Sequence, residues 1–177
     1  MSLREKIFVY FTAAWFAVLA GVNALIFEPM ADGQKAPDAQ PLGYSHDAVM
    51  GWASSLDANE RSAFLLWHTR FLDFVFPILL MAALFVLLTA SLRQFERFRT
   101  LPSWLRVALP VVLVAPYGLF DFLENGLVAD MLRGEVPIDP VSVGLASSYT
   151  VLKFSFVGIA FAVWFGLWMV TGRVRAR

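Results

Sequence analysis

Apolar residues in this chain gather into runs at about Ile7–Phe27, Leu65–Leu92, Leu105–Leu127 and Val143–Val170, with polar segments between them. Each run meets the requirement of roughly 20 mostly apolar residues for a helix that crosses a bilayer. The pattern predicts an all-α, polytopic membrane protein: a single transmembrane domain over residues 1–177, folded as a four-helix bundle. Arg4 and Lys6 precede the first run as they would precede a signal peptide. The run is too long for a signal-peptide core and no small-x-small cleavage site follows, so it reads as a retained span.

The polar segments add detail. Glu28–Gly43, rich in Pro, Gly, Asp and Gln, reads as irregular chain within an outer loop, 28–64. Ser45–Leu56 reads as a helix capped by Ser45, with Val49, Met50, Trp52, Ala53 and Leu56 on one face. That face suits the bilayer interface, the mouth of the bundle, or a plain connector that buries Trp52. Asp57 followed by Glu60 resembles a capping box, so the second long helix is expected to begin outside the membrane.

Composition narrows the class. At 59% hydrophobic and 16% charged, the chain is too apolar for a soluble domain of its size. Zero formal net charge leaves no footprint for a nucleic-acid partner. The absence of cysteine excludes disulfides, Cys-ligated metals and thiol catalysis. Arg4, Lys6, Arg93, Arg97, Arg99, Arg106, Arg173, Arg175 and Arg177 fall on one side of the predicted spans; Lys35, Arg61 and Arg133 fall on the other. The positive-inside rule then predicts a multi-pass protein of the cell inner membrane (the endoplasmic reticulum in a eukaryote) with both termini cytoplasmic. Trp67 and Trp104 sit near predicted boundaries, where aromatic belts form. Gly158, Ala162 and Gly166 make a small-residue series suited to close packing within the bundle or to a homodimer face.

Candidate chemistry lies in five ionisable residues inside the spans: Arg70, Asp73, Asp121, Glu124 and Lys153. A charge in hydrocarbon is costly unless paired or facing a polar cavity, so such residues mark a candidate site. At ~1.5 Å per residue, Asp73 lies roughly 12 Å and Lys153 near 15 Å from the outer face, with Asp121, Glu124 and Asn23 at overlapping depths. Tyr117, Asp121, Glu124 and Asn125 share one helical face; Tyr149 and Lys153 are i,i+4; Arg70 and Asp73 are i,i+3 and positioned to pair. The expectation is a polar chamber in the outer half above an apolar plug. Asp73, Asp121 and Glu124 are the candidate catalytic groups. Asn23, Arg70, Tyr117, Asn125, Tyr149 and Lys153 are the candidate ligand-binding groups. Three carboxylates against two cations leave one negative charge, which a proton or a cationic guest would balance. The same helical rise puts His68 about 7 Å shallower than Asp73, which argues against a metal built on His68, Asp73, Asp121 and Glu124. No metal and no cofactor is expected.

The segments Leu72-Asp73-Phe74-Val75-Phe76-Pro77 and Asp121-Phe122-Leu123-Glu124-Asn125 resemble those of small bacterial four-helix membrane proteins. More distantly, the layout is similar to the EXPERA superfamily, which includes the emopamil-binding protein, a sterol isomerase, and the sigma-2 receptor. The resemblance implies a chamber for sterols or amphipathic amines, with Asp73 as the second-helix carboxylate and Asp121 or Glu124 as its partner acid. Two positions depart from that pattern: Asn23 stands where an acid or histidine is expected, and Lys153 suits an anionic headgroup. The leading expectation is binding of a lipid-like or isoprenoid-like molecule in the chamber, with isomerase-type acid–base chemistry available. The alternatives are a non-enzymatic structural or accessory subunit of a larger membrane complex, and a proton-coupled carrier.

Overall fold

The structure, a computed structural model, describes residues 1–175, with side chains described through residue 171. The side chains of Arg173, Arg175 and Arg177 lie outside the described residues. The fold is carried by helices α1 (Leu3–Met30), α2 (His46–Ser55), α3 (Ala58–Leu92), α4 (Ser103–Arg133) and α5 (Pro140–Arg175). No strand occurs among the described residues. Helices α1, α3, α4 and α5 are long and apolar enough to cross a membrane. Each extends beyond its apolar run, because the ends are fixed by capping groups rather than by the last apolar residue.

Those caps follow from the sequence. Ser2 and Glu5 form a capping box on α1, and Asp57 and Glu60 form one on α3, each side chain taking an otherwise unpaired amide of the first turn. Ser45 Oγ accepts from Ala48 N at 3.2 Å at the start of α2. Asp139 Oδ1 accepts from Val141 N and Ser142 N at 3.0 and 2.8 Å at the start of α5. Helix α4 ends on Gly134, whose φ of 76° is the left-handed conformation that glycine adopts without a Cβ clash.

Helices α4 and α5 pack most extensively, α3 lies against both, and α1 leans mainly on α3. The inner core is apolar: Leu84 and Leu88 of α3, Val114 of α4 and Ala160 of α5. The outer core is built partly from the loop. Val49, Trp52 and Ala53 of α2 bury against Phe64 of α3, Met131 and Leu132 of α4, and Val143 and Ala146 of α5. Of the arrangements expected for α2, the structure shows the burial of Trp52 against the bundle rather than a face left open. Gly158 and Ala162 are exposed, and a Cβ at Gly158 or Gly166 would meet open space. The small-residue series therefore does not serve packing between these helices.

Two helices widen locally. Asn23–Phe27 in α1 and Phe64–Leu72 in α3 are π-helical, with amide bonds reaching back five residues, as from Glu28 N to Asn23 O and from Asp73 N to His68 O. Wide turns of this kind are rare and concentrate at functional sites. The two meet: the Phe27 ring lies edge-on to Phe64 and to His68, both at 5.3 Å. Trp15 Nε1 of α1 reaches the Leu72 carbonyl at 3.5 Å, where the wide stretch ends.

Candidate functional site

Lys153 sits at the centre of the polar layer. Its Nζ lies 2.7 Å from Glu124 Oε2 and 3.0 Å from Asp121 Oδ1. The spacing of α4 explains the pair: residues three apart share a face, and that face meets α5 at the depth of Lys153. The remaining carboxylate oxygens are also engaged. Asn125 Nδ2 donates to Asp121 Oδ2 at 3.0 Å, and Tyr44 Oη, from the loop, donates to Glu124 Oε1 at 3.4 Å. Glu124 is fully buried. Burial, and secondarily the nearby Glu124 carboxylate, pushes the Tyr44 phenol well above its ordinary range, so it remains a donor across the neutral range.

Beside this layer lies a cavity of about 680 Å³ between α1, α3, α4 and α5. Its α1 wall runs from Val9 to Asn23, a rise of about 21 Å on an ideal helix. Phe76, Leu80 and Leu84 of α3 and Phe154, Val157 and Phe161 of α5 line the apolar length. The polar end is lined by Asn23, Asp38, Asp73, Tyr117, Asp121 and Lys153. The cavity thus has the character of an amphiphile: a long apolar stretch with charged groups at one end.

The structure distributes the candidate residues unevenly. Asp73, Asp121, Lys153, Tyr117 and Asn23 do face one cavity. Glu124 stands behind it, held by Lys153 and Tyr44, and Asn125 orients Asp121 from the side. Tyr149 is a correction: it is half-buried and packs on Phe120 at 6.0 Å, outside the cavity lining. Its neighbour Thr150 is buried instead and bonds the Ala146 carbonyl. Arg70 is a second correction. It is exposed and forms no ion pair with Asp73. The cause is the wide stretch of α3, in which residues three apart, such as Arg70 and Asp73, no longer share a face as they do in an α-helix.

The same geometry brings the His68 side chain to Asp73 despite the helical rise between the two residues. His68, Asp73 and Asp38 place one ligand atom each within 4.8 Å of one another. Asp38 comes from the loop, on a 3₁₀ turn at Pro37–Ala39 folded onto the bundle. Nothing in the hydrophobic pattern announces Asp38, Tyr44 or the π-helical alignment of His68 with Asp73. The only available hint was that Trp52 and its neighbours needed a surface to cover. No known family, curated protein or solved structure matches this chain.

Proposed function

We propose that the protein binds a lipid-like or isoprenoid-like amphiphile in this cavity, with the polar end of the guest at Lys153, Asp73 and Tyr117 and its tail along the apolar stretch. The observation that carries the reading is the cavity itself, about 680 Å³ and charged at one end only. Ligand sites commonly span ~300–1,000 Å³ and are mostly apolar with a few placed polar groups. The EXPERA-like layout points the same way. Among the carboxylates, Asp73 is the best-placed acid–base group, since its Oδ2 is buried without a hydrogen-bond partner while Asp121 and Glu124 are bonded to Lys153. We also propose that both termini face the cytoplasm of an inner membrane, a reading supported by the excess of basic residues at the inner loop and termini.

One feature favours a purely architectural role, as in an accessory subunit: the Lys153 ammonium is fully engaged by protein carboxylates. The two readings separate by experiment. Native mass spectrometry of the protein released from detergent should show a bound amphiphile. Ala13→Phe with Ala20→Phe fills the cavity from α1 without touching a charge and should remove it while the melting temperature holds. A wild-type protein free of any amphiphile, or equal retention by the filled variant, overturns the binding reading. Stoichiometric co-purification with other membrane proteins would then favour the accessory role.

A further inference from the structure

We propose that Asp38, His68 and Asp73 bind a divalent transition-metal ion, of the zinc or manganese type, at the polar end of the cavity. The site goes beyond the amphiphile-binding reading: with an ion bound, Asp73 is its ligand rather than a free acid–base group, and the test below needs no amphiphile. It draws one ligand from the loop and two from α3. His68 and Asp73 lie five residues apart, and the π-helical stretch is what turns them to one face.

The geometry is close to that of a tetrahedral centre. His68 Nε2 lies 3.4 Å from Asp38 Oδ2. Metal bonds of ~2.0–2.2 Å at tetrahedral angles place ligand atoms roughly 3.4 Å apart. The three candidate ligand atoms all fall within 4.8 Å of one another, so closure on an ion needs a shift of about an ångström.

The second observation is independent of spacing. His68 Nε2, Asp38 Oδ1 and Asp73 Oδ2 are buried and have no hydrogen-bond partner, and the His68–Asp38 contact does not qualify as one. His68 and Asp73 are 1% and 5% exposed. Buried polar atoms normally find partners, and one left free costs roughly 1–3 kcal/mol by mutational measures. Here the three residues that carry such atoms bring one ligand atom each within 4.8 Å of one another. The imidazole is also held in place, stacked on Phe64 at 4.4 Å and met edge-on by Phe27 at 5.3 Å. A ligand fixed by its surroundings is the preorganisation a metal site requires.

Charge points the same way. The nearby cation, Lys153, is bonded to Asp121 and Glu124. That leaves Asp38 and Asp73 without a cationic partner among the described residues, and neutralises the cation that would otherwise repel a metal. A divalent ion offsets the charges of Asp38 and Asp73, two of the three in excess once the one Lys153 ammonium is set against Asp121 and Glu124. One imidazole with two carboxylates suits zinc, manganese or ferrous iron better than the all-oxygen preference of magnesium or calcium. Asp38 and Asp73 both line the cavity, so the coordination position that three protein ligands leave open is directed toward its polar end.

The test uses the full chain in detergent, purified on a tag without histidine, stripped with a chelator and titrated with zinc or manganese alone. Calorimetry and elemental mass spectrometry should find one ion per chain. Asp38→Asn and His68→Gln should each weaken binding by more than about 100-fold, a larger effect than the roughly 10–100-fold of outer-shell changes. Asp47→Asn, on the exposed face of α2, should leave it unchanged. X-ray absorption of the zinc form should show a single imidazole among oxygen ligands, lost in His68→Gln. If His68→Gln does not fold, Asp38→Asn decides, because its residue lies in the connecting loop. Absence of stoichiometric metal in the wild type, or undiminished binding in Asp38→Asn, overturns the proposal.

Discussion

Lys153 is the residue whose removal should cost the bundle most. Its ammonium bridges the Asp121 and Glu124 carboxylates at 3.0 and 2.7 Å in a buried layer. A buried ion pair contributes little relative to an apolar pair of the same shape, yet breaking it strands the partners. Lys153→Met should therefore destabilise by about 3–5 kcal/mol. Glu124→Gln keeps the shape and an acceptor for Lys153 and should lose only ~1.5–3 kcal/mol, the range of a bond to a charged group. Thermal unfolding in a fixed detergent reads both. The double variant Lys153→Met/Glu124→Leu should recover part of the Lys153→Met loss; if it is worse than either single change, the pair is more than architectural. This cluster was legible in the sequence because α4 and α5 are regular α-helices here. Rise and the i,i+3 rule then place Asp121, Glu124 and Lys153 correctly. The same arithmetic failed at His68 and Arg70, where α3 is not an α-helix.

At the scale of elements, the outer cap carries what the sequence pattern did not show. The long helices were legible because about 20 apolar residues in a row have few other uses. The loop was not, because its burial is tertiary: Ala31, Ala36 and Pro37 are small or turn-forming residues that gain a core only once α2 lies on the bundle. Two devices hold that cap. Trp52 inserts edge-on to Phe64 at 5.1 Å, and the loop latches to α5 where Tyr44 N donates to Ser147 Oγ at 2.9 Å. Gly43 permits the latch. Its φ is 88°, and a Cβ there would come within 2.7 Å of Ser147 Oγ. Gly43→Ala thus adds left-handed strain of ~1–2 kcal/mol to a steric conflict. The expected outcome is faster amide hydrogen exchange across residues 31–56 with unchanged exchange in the inner half of α4 and α5. Trp52→Ala should release the same segment more completely, since truncating a buried aromatic costs about 3–5 kcal/mol. Uniform loosening of the whole protein in either variant would mean the cap and the bundle are one cooperative unit.

For the whole molecule, the distribution of charge argues for one orientation in the bilayer, and the structure sharpens the argument from counting to accessibility. On the outer side, Arg61 donates to the Ala53 carbonyl at 2.9 Å and Arg133 is paired with Asp130 at 2.9 Å, so two of the three basic groups there are engaged within the protein. On the inner side, Arg93 is paired with Glu5, at 3.8 Å, while Arg4, Lys6, Arg97, Arg99 and Arg106 form no ion pair among the described residues. Free basic groups at that end are the ones that meet anionic headgroups, each contributing ~1 kcal/mol near a charged surface. Trp104, 66% exposed at the start of α4, adds an aromatic anchor at the same level. In the proposed orientation these groups would favour retention of this end in the cytoplasm both during insertion and afterwards. A fluorescent protein fused after Arg177 should fold and fluoresce, and alkaline phosphatase fused after Gln40 should be active while the same enzyme fused after Gln94 should be inactive. Replacing Arg93, Arg97 and Arg99 together by glutamine should weaken the bias and yield a fraction of inverted reporters, because the inner basic residues then fall from nine to six against three outer ones. Reporters that give the opposite pattern in the unaltered chain would invert the bundle and place the polar end of the cavity on the cytoplasmic side.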